Sequence, residues 1–135
     1  MRYLLDTNAC IVYLNQADSG IRSKIQKMHP KEIFLCSVVK SELIFGAMKS
    51  QRVEKNLQKL EVFFSNLQSI PFDDRAAEVF GDIRADLQKK GTPIGPYDLQ
   101  IASIALVNDL ILITHNTGEF ERINNLKLED WEQEC

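Results

Sequence analysis

Four consecutive apolar residues, Leu110-Ile111-Leu112-Ile113, constrain this chain more than any other stretch. A β-favouring run with no polar face reads as a strand covered on both sides, as strands are in a parallel sheet. Two other short runs share this form. Arg2-Tyr3-Leu4-Leu5 stops at Asp6-Thr7-Asn8, and Ile33-Phe34-Leu35-Cys36 stops at Ser37, so each strand feeds directly into helix-starting residues.

The stretches between these runs carry helical spacing. Ser37 reads as the N-cap of a helix reaching about Met48. Val53, Leu57, Leu60, Phe64 and Leu67 mark a second helix paired with it, its apolar face widened by Val62 and Phe63. After Ser69-Ile70-Pro71-Phe72, a long helix carries Ala76, Phe80, Ile83 and Leu87 in one stripe and closes at Gly91. Gly91 to Pro96 is a loop, a helix runs from about Tyr97 to Asn108, and Thr114 to Thr117 turns the final strand into a short last helix. Strands separated by helices throughout predict an α/β sandwich, a mostly parallel central sheet flanked by helices. With 135 residues the chain suits one core and is too short for two, so residues 1–135 read as a single domain.

Charge narrows the function classes. Sixteen basic against nineteen acidic residues leave a net charge of -3, which excludes a polycation clamped on nucleic acid by bulk charge. Cys10, Cys36 and Cys135 are odd in number and widely spaced, so neither a disulfide framework nor a structural zinc site is expected. A reducing cytosol fits best. No segment has the length and apolarity of a signal core or a membrane span, so a soluble, cytoplasmic protein is expected.

In parallel sheets the ligand crevice lies beyond the carboxyl ends of the strands. Asp6 follows the first strand, and Glu42 sits one turn into the next helix on the stripe of Val38 and Phe45, where an acid is out of place. Asp98 opens a helix on the face of Ile101, Ala102 and Ala105, and Glu119 lies just past the last strand. Each has a plainer reading: Asp6 as a helix cap, Asp98 and Glu119 as first-turn acids facing a helix dipole, Glu42 in a salt bridge with a lysine. Together they predict four carboxylates converging on one end of the sheet, which requires a cation to balance their repulsion. Oxygen donors without a Cys or His framework select Mg²⁺ or Mn²⁺, and such a site supports displacement at phosphorus.

Tyr3-Leu4-Leu5-Asp6-Thr7-Asn8, Ser41-Glu42-Leu43 with Gly46-Ala47, Pro93-Ile94-Gly95 before Asp98-Leu99 and Ile101-Ala102, and Thr114-His115-Asn116 before Glu119-Phe120 resemble the PIN-domain ribonuclease toxins of the VapC type. The likeness runs over essentially the whole chain, to the Leu128-Glu129-Asp130-Trp131 tail. It implies a bacterial endoribonuclease dependent on Mg²⁺ or Mn²⁺, the toxin of a toxin–antitoxin pair that inhibits translation and growth. It implies also a homodimer, inhibition by a VapB-type antitoxin, and contact with operator DNA only through that antitoxin. Asp6, Glu42 and Asp98 match the family's core acids, and Glu119 takes a fourth position that is commonly Asp. Thr7 and Thr114 match hydroxyl positions that orient carboxylates, and Asn116 matches a polar position beside them. Structured RNA, tRNA above all, is the substrate the resemblance favours.

Other features carry less. His115 reads as a hydrogen-bonding or RNA-facing residue rather than a general base. Lys49, Arg52, Lys55 and Lys59 read first as a solvated face and second as an RNA track. The stripe from Val53 to Leu67 is either core or part of a groove for an antitoxin helix. The rival classes are a phosphate-receiving signalling domain, which expects adjacent acids near the first strand and a strand-end lysine, and a catalytically silent PIN-like binding module.

Overall fold

The computed structural model describes residues 1–132. Five short strands, β1 (Tyr3–Leu5), β2 (Ile33–Cys36), β3 (Gln68–Ile70), β4 (Ile111–Ile113) and β5 (Leu128–Glu129), form one sheet in the order β3-β2-β1-β4-β5. All four pairings are parallel. The expected sheet was mostly parallel, and among the described residues it is wholly so. Helices α1 (Thr7–Asn15), α2 (Gly20–Gln26), α3 (Ser37–Met48), α4 (Val53–Ser65), α5 (Asp74–Lys89), α6 (Pro96–Val107) and α7 (Thr117–Phe120) flank the sheet as an α/β sandwich.

The apolar runs become the centre of this sheet for the reason their sequence gives. Leu4, Leu5, Leu35, Leu112 and Ile113 are sealed from solvent, and the whole of β1, β2 and β4 is buried. Burying each such side chain fully is worth about 1.5–3 kcal/mol. α6, with Leu99, Ile101, Ala102, Ile104 and Ala105 all buried, is the helix most deeply packed, and it is set beside α5 and α3.

The connections put the site where strand order reverses. From β1 the chain moves outward through β2 and β3, then returns through α5 and α6 to add β4 on the other side of β1. The carboxyl ends of β1 and β4 therefore bound the crevice at the switch point, the usual ligand position in such sheets. Gly91, at a φ of +71°, ends α5 in the left-handed conformation expected of a glycine there.

Several local expectations are corrected. Ser37 is the first residue of α3 and not its cap; Cys36 occupies the cap position, and the Ser37 hydroxyl accepts the Phe72 amide at 3.2 Å, tying α3 to the segment after β3. Val62 does not widen the buried face of α4; it is exposed, whereas Phe63 packs inward and stacks on Tyr13. Phe45 is exposed as well, so the stripe of Glu42 is apolar and buried only toward Val38 and Leu43. Helix α2 and strand β5 come from stretches with no evident periodicity. Cys10 and Cys36 are free and buried, while Cys135 lies outside the described residues. Among the described residues no helix is long and apolar enough to cross a membrane.

Candidate active site

The register of β1 on β4 ends with Leu5 opposite Ile113, so the next residues outward, Asp6 and Thr114, are neighbours at the sheet end. The Asp6 amide donates to the Ile113 carbonyl at 3.1 Å, and its Oδ1 accepts the Ala9 amide at 2.8 Å. Asp6 is thus a helix cap and a crevice acid at once, because the start of α1 is itself a wall of the crevice. Only 4% of the residue is exposed. Burial pushes its carboxyl pKa up, hydrogen bonds from Thr114 and Ala9 pull it down, and the charges of Glu132 and Glu42 raise it further.

Glu42 stands half-buried in the second turn of α3, and its Oε1 accepts the Thr7 hydroxyl at 2.7 Å. That bond answers the question of what an acid does on this face. Its partner is Thr7, and among the described residues it makes no salt bridge with a lysine. Asp98, third residue of α6, has its pKa raised to about 6, first by burial and then by Glu119, Asp6 and Glu42. One carboxyl therefore registers the field of all three other acids. Glu119 on α7 accepts the Asn116 side-chain amide at 2.7 Å, while the Asn116 backbone amide donates to Thr114 Oγ1 at 3.0 Å.

The four acids and their three polar neighbours thus form one set: Thr7 on Glu42, Thr114 on Asp6, Asn116 on Glu119. Each neighbour uses a donor to fix one carboxylate, which is how outer groups orient metal-binding carboxylates. The donor set is all oxygen, the chemistry suited to a hard divalent cation. No three of these four acids bring donor atoms within 4.8 Å of one another. Among the described residues, the donor atoms that do come within 4.8 Å of one another belong to His115, Asp130 and Glu132.

Asp130 and Glu132 are the residues that sequence reasoning missed. β5 pairs Glu129 with Ile113, which sets Asp130 beside Thr114 and His115 at the same sheet end. Their only signal was two acids flanking a tryptophan after a strand of two residues. Lys49, Arg52, Lys55 and Lys59 lie exposed on and before α4, with Lys49 over the Phe45 ring and Lys59 reaching Asn15 Oδ1 at 3.4 Å.

A wholly parallel α/β sandwich with acids gathered at its switch point has a family counterpart. The chain belongs to the PIN-domain family, whose model matches residues 3–126. It is similar to the tRNA(fMet)-specific endonuclease VapC of Salmonella typhimurium, 40% identical over 131 residues that cover 97% of this chain and 98% of that one. In structure it is similar to VapBC from Salmonella typhimurium bound to DNA, with a TM-score of 0.91 at 40% identity over 97% of this chain and 98% of that one. It is similar also to VapBC2 from Rickettsia felis bound to a promoter DNA fragment, with a TM-score of 0.89 at 37% identity over 97% and 99%. These likenesses put the chain among the VapC ribonucleases, which are enzymes, and set the signalling-domain reading aside.

Proposed function

We propose that this chain, read as one PIN domain over residues 1–135, is the endoribonuclease toxin of a VapBC-type pair, cutting structured RNA and thereby inhibiting translation and growth. The observation that carries the reading is the placement of the acids at the switch point: Asp6, 4% exposed at the end of β1, Glu42 held by Thr7, Glu119 held by Asn116 beyond β4, and Asp98 at the start of α6 within reach of their charges. Acids are driven together in this way, at a cost in stability, where a cation is to be held.

Asp6, Glu42 and Asp98 would hold Mg²⁺ or Mn²⁺, with Glu119 as a fourth acid on a longer arm. When bound, such a cation polarises a phosphoryl oxygen and acidifies a water for in-line attack. The chain's own residues prepare the site for it. Thr7 pins Glu42, the Thr114 hydroxyl and the Ala9 amide orient Asp6, and Asn116 steadies Glu119. The buried floor beneath them, Leu5, Ile113 and Leu99, keeps these positions rigid and limits water to the open side.

The named activity of the Salmonella relative supports tRNA as the substrate class. The VapBC structures support a VapB-type antitoxin as partner, with operator DNA reached through it, and a homodimeric toxin in the cytoplasm accords with the same family. A groove between α1, α3 and α4, lined by Ile11, Leu14, Leu43, Ala47 and Leu60 together with Asn15, Asn56 and Lys59, runs to Glu42 and offers a seat, part apolar and part polar, for an antitoxin helix. Incubating the protein with a total tRNA pool and Mg²⁺ or Mn²⁺, then mapping new RNA ends, tests the reading. A few discrete cuts support it, and an intact pool contradicts it.

A further inference from the structure

We propose that His115, held by Asp130, is a substrate-contacting residue of this site, its outward Nε2 edge donating to a phosphate oxygen of the RNA strand that lies over the carboxylates. The proposal rests on the ribonuclease reading above and adds to it a named cation at the rim of the acidic pocket. His115 lies between two residues that bind the pocket's acids, Thr114 on Asp6 and Asn116 on Glu119, so its position is fixed at the mouth and not on a remote surface. Its Nδ1 stands 2.9 Å from Asp130 Oδ2 and 3.9 Å from Glu132 Oε2, while 63% of the side chain is exposed. With Nδ1–H donated to Asp130, the other ring nitrogen faces outward with its own hydrogen to give when the ring is protonated.

The backing carboxylate is itself anchored. Asp130 Oδ1 accepts the Glu132 amide at 2.9 Å, and between them Trp131 is buried, its ring 5.1 Å from that of Tyr3 and its Nε1 donating to Glu129 at 2.9 Å. Gly20 holds this strap from the other side: a Cβ there would meet the Trp131 carbonyl oxygen at 2.6 Å. The charges facing the imidazole are Asp130 and Glu132 on the strap and Asp6 at the end of β1, and all three favour its protonated form. On the helix packed against the strap, Lys24 sets its Nζ 6.0 Å over the Trp131 ring. A pocket walled by acids repels a phosphate backbone, and an imidazolium at its edge gives the strand a point of attachment. The same three donors have a spacing that suits a transition metal. Nδ1 and Asp130 Oδ2 are, however, already paired with each other in a hydrogen bond, which favours the phosphate reading.

The test is the initial rate of total-tRNA cleavage in Mn²⁺ against tRNA concentration, salt and pH. His115→Gln should raise the apparent KM roughly fivefold with kcat within about twofold and reduce the salt slope by about 1, while His115→Arg should recover most of the loss. Wild-type KM should rise with pH as the imidazolium discharges, Asp130→Asn should move that rise to lower pH, and His115→Gln should abolish it. A His115→Gln enzyme with wild-type KM and salt slope overturns this proposal alone. So does Zn²⁺ binding measured calorimetrically that depends on His115 while tRNA affinity does not. A wild-type protein that cuts no RNA overturns the ribonuclease reading and this proposal with it.

Discussion

Thr7 Oγ1 donates a 2.7 Å hydrogen bond to Glu42 Oε1, and this one bond joins the first turn of α1 to the second turn of α3 across the mouth of the sheet. The two residues are 35 positions apart, so the bond exists only because β1 and β2 lie side by side and deliver their helices together. It fixes the carboxylate with the longest reach among Asp6, Glu42 and Asp98.

Thr7→Val keeps the branched shape and removes the donor. We expect RNA cleavage to fall roughly tenfold or more, as for other groups that orient a metal-binding side chain. Thermal unfolding should show a loss of only about 1 kcal/mol, the worth of one part-buried hydrogen bond. Thr7→Ser should restore most of the cleavage. Equal activity of the valine and wild-type proteins would mean that Glu42 needs no support.

Asp98 gives the pH dependence its sign. Its folded-state pKa, raised to about 6, lies above the unfolded value of about 3.9, so the proton is held more tightly by the folded chain. In metal-free protein this contribution to stability is complete below about pH 4 and is lost as pH rises through 6. Asp98→Asn should therefore stabilise the metal-free protein at pH 7.5 by roughly 1 kcal/mol, a figure discounted because the carboxyl is only half-buried. Denaturant titrations at pH 4.5 and 7.5, in EDTA, measure it. A variant clearly less stable than wild type at pH 7.5, with an undiminished Mn²⁺ shift, would make Asp98 a structural helix-start residue.

The antitoxin prediction follows from the same charge. If an antitoxin sets a basic side chain in the pocket, Glu42→Lys and Asp98→Lys should weaken the complex more than Glu42→Ala and Asp98→Ala, since reversal replaces attraction with repulsion. Calorimetric titration with the cognate antitoxin separates the cases. Equal losses for lysine and alanine would show that the pocket is not the electrostatic anchor of the complex.

The parts of this molecule legible in its sequence are those written locally. Leu110 to Ile113 is the strongest strand candidate, and the acids that follow such strands, Asp6 and Glu119, or sit among apolar residues on a helix, Glu42 and Asp98, stand out by contrast. What stayed hidden depends on non-local pairing. β5 is two residues long and exists because β4 has an open edge, and only that pairing brings Asp130 and Glu132 to His115. Likewise Val62 and Phe45 are exposed although each lies among apolar neighbours on its helix, which periodicity alone does not reveal.

The central claim, that this acid-lined crevice cuts RNA through a bound divalent cation, is tested most directly by cleavage of total tRNA by wild type and Asp6→Asn, with EDTA and with Mg²⁺ or Mn²⁺ restored. Asparagine caps a helix as well as aspartate does, so the variant should keep the Ala9 bond and the fold while losing the ligand charge. The account predicts that wild-type cleavage stops in EDTA and returns with Mn²⁺ or Mg²⁺ but not Ca²⁺, and that Asp6→Asn cuts nothing above a few per cent of wild type at equal folding. Cleavage at an unchanged rate in EDTA, or by the Asp6→Asn protein, would contradict it.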